Sequence, residues 1–78
     1  LDYSLSPNPS KDFININFQR NIEGTASVVN QLGEIICKVD IKGNTVQLNV
    51  LNLDSGVYFI MVESNRNSYP AKRVIKID

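Results

Sequence analysis

The sequence has no histidine and no tryptophan, one cysteine, Cys37, and one methionine, Met61. Without histidine there is no Ser-His or Cys-His pair, and the commonest general acid or base is missing, so hydrolase triads are excluded. A lone thiol cannot close an intrachain disulfide, and one cysteine without histidine cannot hold a structural zinc ion. Charge of neither sign dominates: eight Lys and Arg residues balance eight Asp and Glu residues. A nucleic-acid partner is therefore not expected. No stretch approaches the roughly 18 consecutive apolar residues of a membrane helix, so no membrane span is expected. The opening Leu1-Asp2-Tyr3-Ser4 lacks the basic and apolar regions of a secretory signal. The chain starts on a hydrophobic residue rather than methionine, and we expect a piece of a longer protein.

The carboxylates do not restore a reaction. Asp40, Asp54 and Glu63 show no spacing that would set a pair across a cleft, as glycosidic cleavage needs, and we expect no enzyme activity. Asp40, Asn44, Asn52 and Asp54 could offer loop oxygens to Ca²⁺, but no loop has the density of alternating ligands of a dedicated site. Turn formation is their expected role, and no cofactor is expected. Cys37 alternates with Ile35 and Val39, which suits a small buried thiol.

What the chain does have is apolar residues recurring with a period of two, in segments rich in Val, Ile, Phe and Tyr. That pattern fits a pleated, half-buried surface. Over 12–18, Ile14, Ile16 and Phe18 point inward. A strand over about 25–30 is followed by Gln31-Leu32-Gly33-Glu34, a turn into a strand in which Ile35, Cys37 and Val39 share a face. Lys42-Gly43-Asn44 is read as the next turn. After it, Val46, Leu48 and Val50 alternate with Thr45, Gln47 and Asn49, giving a strand with one wet face. Residues 53–56 make a corner, 57–63 a strand apolar on both faces, and 64–68 a polar loop before a last strand over about 71–77. No window of eleven or more residues carries a 3.6 period, and turn signals fall every eight to twelve residues, so helix is nearly absent.

Seventy-eight residues suffice for one core, and a chain of this size buries only roughly 60% of its unfolded surface. We read residues 1–78 as a single all-β domain, an antiparallel β-sandwich, with 1–9 as a linker or entry segment. In the entry segment, Pro7-Asn8-Pro9 fixes two φ angles and holds the preceding residues extended. At the corner, Asp54-Ser55-Gly56-Val57-Tyr58 reproduces the D-x-G-x-Y arrangement of immunoglobulin-like sandwiches, in which the tyrosine hydroxyl bonds back to nearby backbone. Phe59 and Met61, on a strand that is apolar on both faces, are a candidate docking patch. Lys72 and Lys76 lie four residues apart on the last strand, on the face opposite Ile75 and Ile77. They are read as a solvated basic face that also discourages edge pairing.

Four blocks, in order, resemble the type A C-terminal sorting domains of the type IX (Por) secretion system. They are Pro7-Asn8-Pro9 with Phe13, Ile14 and Ile16; Val28-Val29-Asn30 with Leu32-Gly33 and Ile36; Leu53-Asp54-Ser55-Gly56-Val57-Tyr58-Phe59; and Lys72 through Ile77 with its Lys-x-x-x-Lys spacing. Asp54 stands where the family often has proline, and Asp78 ends a chain whose relatives usually end on a basic or apolar residue. The resemblance implies a seven-stranded immunoglobulin-like fold that serves as an address for an N-terminal cargo of the same precursor. In a Gram-negative bacterium the cargo would cross the periplasm and reach the cell surface or the medium. The machinery would recognise the terminal strand, Lys72, Arg73, Val74, Ile75, Lys76 and Ile77, and a sortase would cut in the linker upstream of, or close to, Leu1. Pro7, Asn8, Pro9, Gly33, Leu53, Gly56 and Tyr58 would be the family's structural motif residues. A dimer through an edge strand is a further partner to consider. The alternative is an adhesion or carbohydrate-binding sandwich. Such modules usually present exposed aromatic platforms, whereas this chain lacks Trp and Phe13, Phe18 and Tyr58 are assigned to packing.

Overall fold

A computed structural model describes residues 2–8, 11–65, 67 and 69–78. Among the described residues five strands run in chain order: β1 (Tyr3–Ser6), β2 (Phe13–Val29), β3 (Ile35–Asn49), β4 (Gly56–Ser64) and β5 (Lys72–Lys76). All pairings are antiparallel, and no helix occurs among the described residues. The all-β class is therefore as expected, but the strands are hydrogen-bonded into one five-stranded sheet with the path β1-β2-β4-β5 and β3 on the other side of β2.

The strand count differs from seven for a physical reason. Expected breaks near residues 19–24 and at Lys42-Gly43-Asn44 are not chain reversals: β2 and β3 run through them side by side. Between the Asn17/Thr45 and Ile22/Gly43 pairs, β2 advances five residues while β3 advances two, so β2 carries the extra length of a large bulge. Bulges bend a strand and increase its twist. Gly43, at φ +121°, takes a conformation closed to most side chains and lets β3 follow the bend. The turn chemistry was real, but it bends a strand instead of ending one.

The bend lets the sheet curl over itself. Below it, β2 residues 15–18 pair with β1; above it, residues 24–29 pair with β4, along the same edge of β2. Ile14, Ile16, Phe18 and Leu48 from the first half join Ala26, Val28, Ile60, Val62 and Val74 from the second in a single buried cluster. The expected inward set Ile14, Ile16 and Phe18 is buried, and Thr45, Gln47 and Asn49 are exposed as read from the alternation. Asn15 and Asn17 bond across to Gln47 and Thr45 on that wet face.

Three expectations are corrected. Ile35 does not share a face with Cys37: β3 pairs Cys37 with Val28 and Ile35 with Val29, leaving Ile36 as a bulge, and Ile35 is turned out to solvent. Phe13 is exposed rather than packed. Residues 3–6 are not linker but strand β1, and Tyr3 is a core residue, 4% exposed.

Candidate functional site: the terminal strand and its seam

β5 forms because Arg73, Ile75 and their neighbours alternate in the extended conformation against β4, with Val74 opposite Tyr58 and Lys76 opposite Gly56. Val74 is buried in the core cluster. Side chains alternate across a strand, so Lys72 and Lys76 share the inward face with Val74, and Arg73, Ile75 and Ile77 face outward. This inverts the solvated basic face expected for the lysines. Lys76 is 4% exposed. Its stem lines an apolar space with Ile14, Val28, Val50 and Leu53, and its Nζ donates to the Ile77 carbonyl at 2.9 Å and lies 3.7 Å from an Asp78 carboxylate oxygen. A long aliphatic stem can be buried while its ammonium reaches the rim, and that wins over the simple rule that lysine faces water. Ile75 and Ile77 are the exposed residues, at 38% and 42%.

Lys72 is held at the N-terminal segment. Its Nζ is 3.0 Å from a carboxylate oxygen of Asp2 and 5.3 Å from the centre of the Tyr3 ring, within range of a cation–π contact. The Lys72 ammonium, by hydrogen bonding, holds the Asp2 carboxyl below its ordinary range, helped by the Tyr3 backbone N–H, which donates to it at 2.7 Å. Tyr3 in turn meets Phe18 and Tyr69 in tilted ring contacts, with centres 5.7 and 6.0 Å away, and those two rings meet each other edge-on at 5.6 Å. Its hydroxyl donates to the Pro70 carbonyl at 2.6 Å and lies 3.3 Å from the Ile60 carbonyl oxygen. Burial, with the Asp2 charge adding to it, pushes the phenol up to about 12.

Asn8 completes this seam. Its Oδ1 accepts from the Ile75 backbone N–H at 3.1 Å, and its Nδ2 donates to the Arg73 carbonyl at 3.3 Å. Pro7, in a cis peptide with Ser6, lies beside it, and Pro9 falls outside the described residues. The N-terminal segment thus touches the terminal strand through Asp2, Tyr3 and Asn8. Sequence reasoning missed Asp2 and Tyr3. The signal was a two-beat alternation, Tyr3 and Leu5, cut off by Pro7 and shorter than the four residues that usually mark a strand.

The remaining motif residues lie at turns and against the core. Tyr58 donates its hydroxyl to the Asp54 carbonyl at 2.8 Å, the expected corner bond, and Gly56 beside it has φ +152°. Leu53 packs on the core. Gly33, at φ +87°, lies in the hairpin turn, where the Asn30 side chain accepts from the Leu32 and Glu34 backbone N–H groups. Phe59 is half-buried and Met61 is 45% exposed. Phe59 pairs with Arg73 and Val57 with Ile75, so this second candidate patch is continuous with the outer face of β5. Cys37 is half-buried, and burial pushes its thiol up, partly offset by a backbone hydrogen bond from Val28.

The described residues form an antiparallel all-β sheet with β5 at one edge. Residues 4–76 match the family described as secretion system C-terminal sorting domain. The chain belongs to that family and is a sorting signal for type IX secretion, which sends a protein to the cell surface or beyond. A sorting domain is not itself catalytic. The chain is also 31% identical over 77 residues to an endo-acting ulvan lyase of Formosa agariphila, covering 96% of this chain and 15% of that protein. It therefore spans about a seventh of the length of that curated relative. No described helix is long and apolar enough to cross a membrane.

Proposed function

We propose that the type IX machinery reads this domain through β5, from Lys72 to Ile77, with the Phe59 and Met61 face as an adjoining contact. The observation that carries the reading is the position of β5: it is the last strand and an edge of the sheet, and it turns Arg73, Ile75 and Ile77 outward. An edge strand offers backbone groups to a partner, and its outward side chains supply discrimination. Lys72 and Lys76 act differently from simple charges on a surface: they hold the strand's shape, Lys72 through Asp2 and Lys76 through its buried stem. The domain has no reaction of its own. Its cargo lies N-terminal to it in the same precursor, crosses the periplasm, and is freed when a sortase cuts upstream of β1. The lyase relative, of which such a stretch is a small part, supports an enzyme as the kind of cargo. A second copy of the chain, meeting this one through an edge strand, belongs to the same reading.

Deleting Val74 to Asp78 from the full-length precursor is expected to stop export and leave the cargo in the periplasm; normal export would defeat the proposal. Because Val74 is a core residue, the deletion alone could act by unfolding the domain. The outward double substitution Arg73→Glu with Ile75→Asp separates the two: export should fail while the purified domain still melts cooperatively. Export that survives this pair would show that the outward face of β5 is not what is read.

A further inference from the structure

An antiparallel strand sends the N–H and C=O of one residue to one side and those of the next to the other. The Arg73 carbonyl and the Ile75 N–H both bond Asn8, so residues 73 and 75 present their backbone groups away from β4. These are the groups through which a further strand would join the sheet. A carboxamide carries the same pair of functions as a peptide unit, one N–H donor and one carbonyl acceptor, and the Asn8 side chain applies one to each.

We propose that Asn8 plugs the open edge of β5, and that displacing it turns this edge into a strand-addition site whose occupant is the β5 of a second copy of this chain. The inference deepens the edge-strand contact named above and rests on it only to that extent. Charge and shape favour the second copy. In an antiparallel pair centred on Ile75, Ile75 faces its own counterpart and Arg73 faces Ile77, so no like charges are opposed. Lys72 comes opposite Asp78, an attractive pair. The same Ile75 N–H cannot serve both Asn8 and an incoming strand, so plug and partner compete directly. A polar residue that satisfies an edge from within is one way a sheet avoids joining its neighbours.

The test is association of the purified domain by sedimentation equilibrium, with Asn8→Ala and Asn8→Asp compared with the parent. Asn8→Ala removes both bonds; Asn8→Asp keeps the acceptor for Ile75 and loses the donor to Arg73. Self-association should strengthen by roughly a hundredfold in Asn8→Ala and by less in Asn8→Asp, because a symmetric dimer displaces two plugs and releasing the two ordinary hydrogen bonds of each is worth about tenfold. Adding Ile75→Pro, which deletes the N–H an incoming strand needs but is tolerated at an edge, should return Asn8→Ala to monomer. Unchanged association in both Asn8 variants overturns the proposal, and so does association that survives Ile75→Pro. If Asn8→Ala does not fold, Asn8→Asp carries the test. The assay contains no secretion machinery, so its failure leaves the reading of β5 in export standing, and an export failure leaves this result standing.

Discussion

Replacing Tyr3 tests whether the segment nearest the cargo is part of the folded signal. The ring is 4% exposed and meets Phe18 and Tyr69, and the hydroxyl reaches the Pro70 and Ile60 carbonyls. A hydroxyl has one proton, so the 2.6 Å bond to Pro70 is the main one and the longer contact adds little. Tyr3→Phe should then cost about 1–1.5 kcal/mol, an ordinary net hydrogen bond made somewhat more costly by partial burial. For a domain of this size that lowers Tm by about 5–10 °C. Tyr3→Ala also deletes the ring, and loss of a buried aromatic costs about 3–5 kcal/mol. That is comparable to the whole margin of a small single-core domain, so this variant should be largely unfolded at room temperature. Urea titration followed by circular dichroism measures both. The pH dependence adds a separate check: the phenol binds its proton more tightly folded, with a pKa of about 12 against an ordinary 10. Its contribution is fully present below pH 10 and is lost as pH rises from 10 to 12. Tyr3→Phe should show a shallower fall in stability across that window. A Tyr3→Ala variant within about 0.5 kcal/mol of the parent, the range of inconsequential surface changes, would refute the placement of β1 in the core.

Three further outcomes are expected. Tyr58→Phe should lower stability by about 1 kcal/mol through loss of the Asp54 bond, and an unshifted urea midpoint would remove the corner from the account. Lys76→Met, which keeps the buried stem and drops an ammonium held mainly by the Ile77 carbonyl, should leave Tm equal or higher. Lys76→Glu should cost about 2 kcal/mol or more because a short anion cannot reach the rim; a Met variant that melts well below the parent would contradict this. Cys37 should react slowly with a thiol reagent at neutral pH, since burial raises its pKa and the thiolate is the reactive form. Unfolding in urea should accelerate the reaction, and equal rates in both states would show that the thiol is not shielded.

The fold was legible where alternation ran for several beats and misread where one residue broke it. Ile14-Ile16-Phe18 and Val46-Leu48-Val50 announce their buried faces because period-two patterning survives any detail of pairing. Ile35 was placed on the wrong face because a one-residue bulge at Ile36 flips every residue beyond it, and no residue type marks a bulge there. Gly43 marks a change of direction, but glycine serves a turn and a bend alike. The choice between them depends on how far β2 overruns β3, which only the paired structure defines.

The site was legible as a motif and opaque as a geometry. The spacing of Lys72 and Lys76 places them on one face, which is correct, but the face was assigned by polarity. Val74 lies between them, and one buried valine in register with Tyr58 outweighs two lysines whose stems are mostly hydrocarbon. With that face turned inward, the outward residues become Arg73, Ile75 and Ile77, and the basic strand becomes an apolar one with a single exposed cation. Prolines dominate the surroundings of Asn8, so its sequence context predicts only a stiff entry. Its carboxamide matters through β5, more than sixty residues away in sequence, and such a contact leaves no local trace. The two ends of the domain therefore form one unit. Under the proposed sortase step, a cut upstream of Asp2 would leave Asp2, Tyr3 and Asn8 on the terminal strand, whereas a cut beyond Ser6 would remove β1, take Tyr3 from the core and free Lys72. Intact fold after processing thus requires the cut to lie upstream of the segment that holds β5 in place.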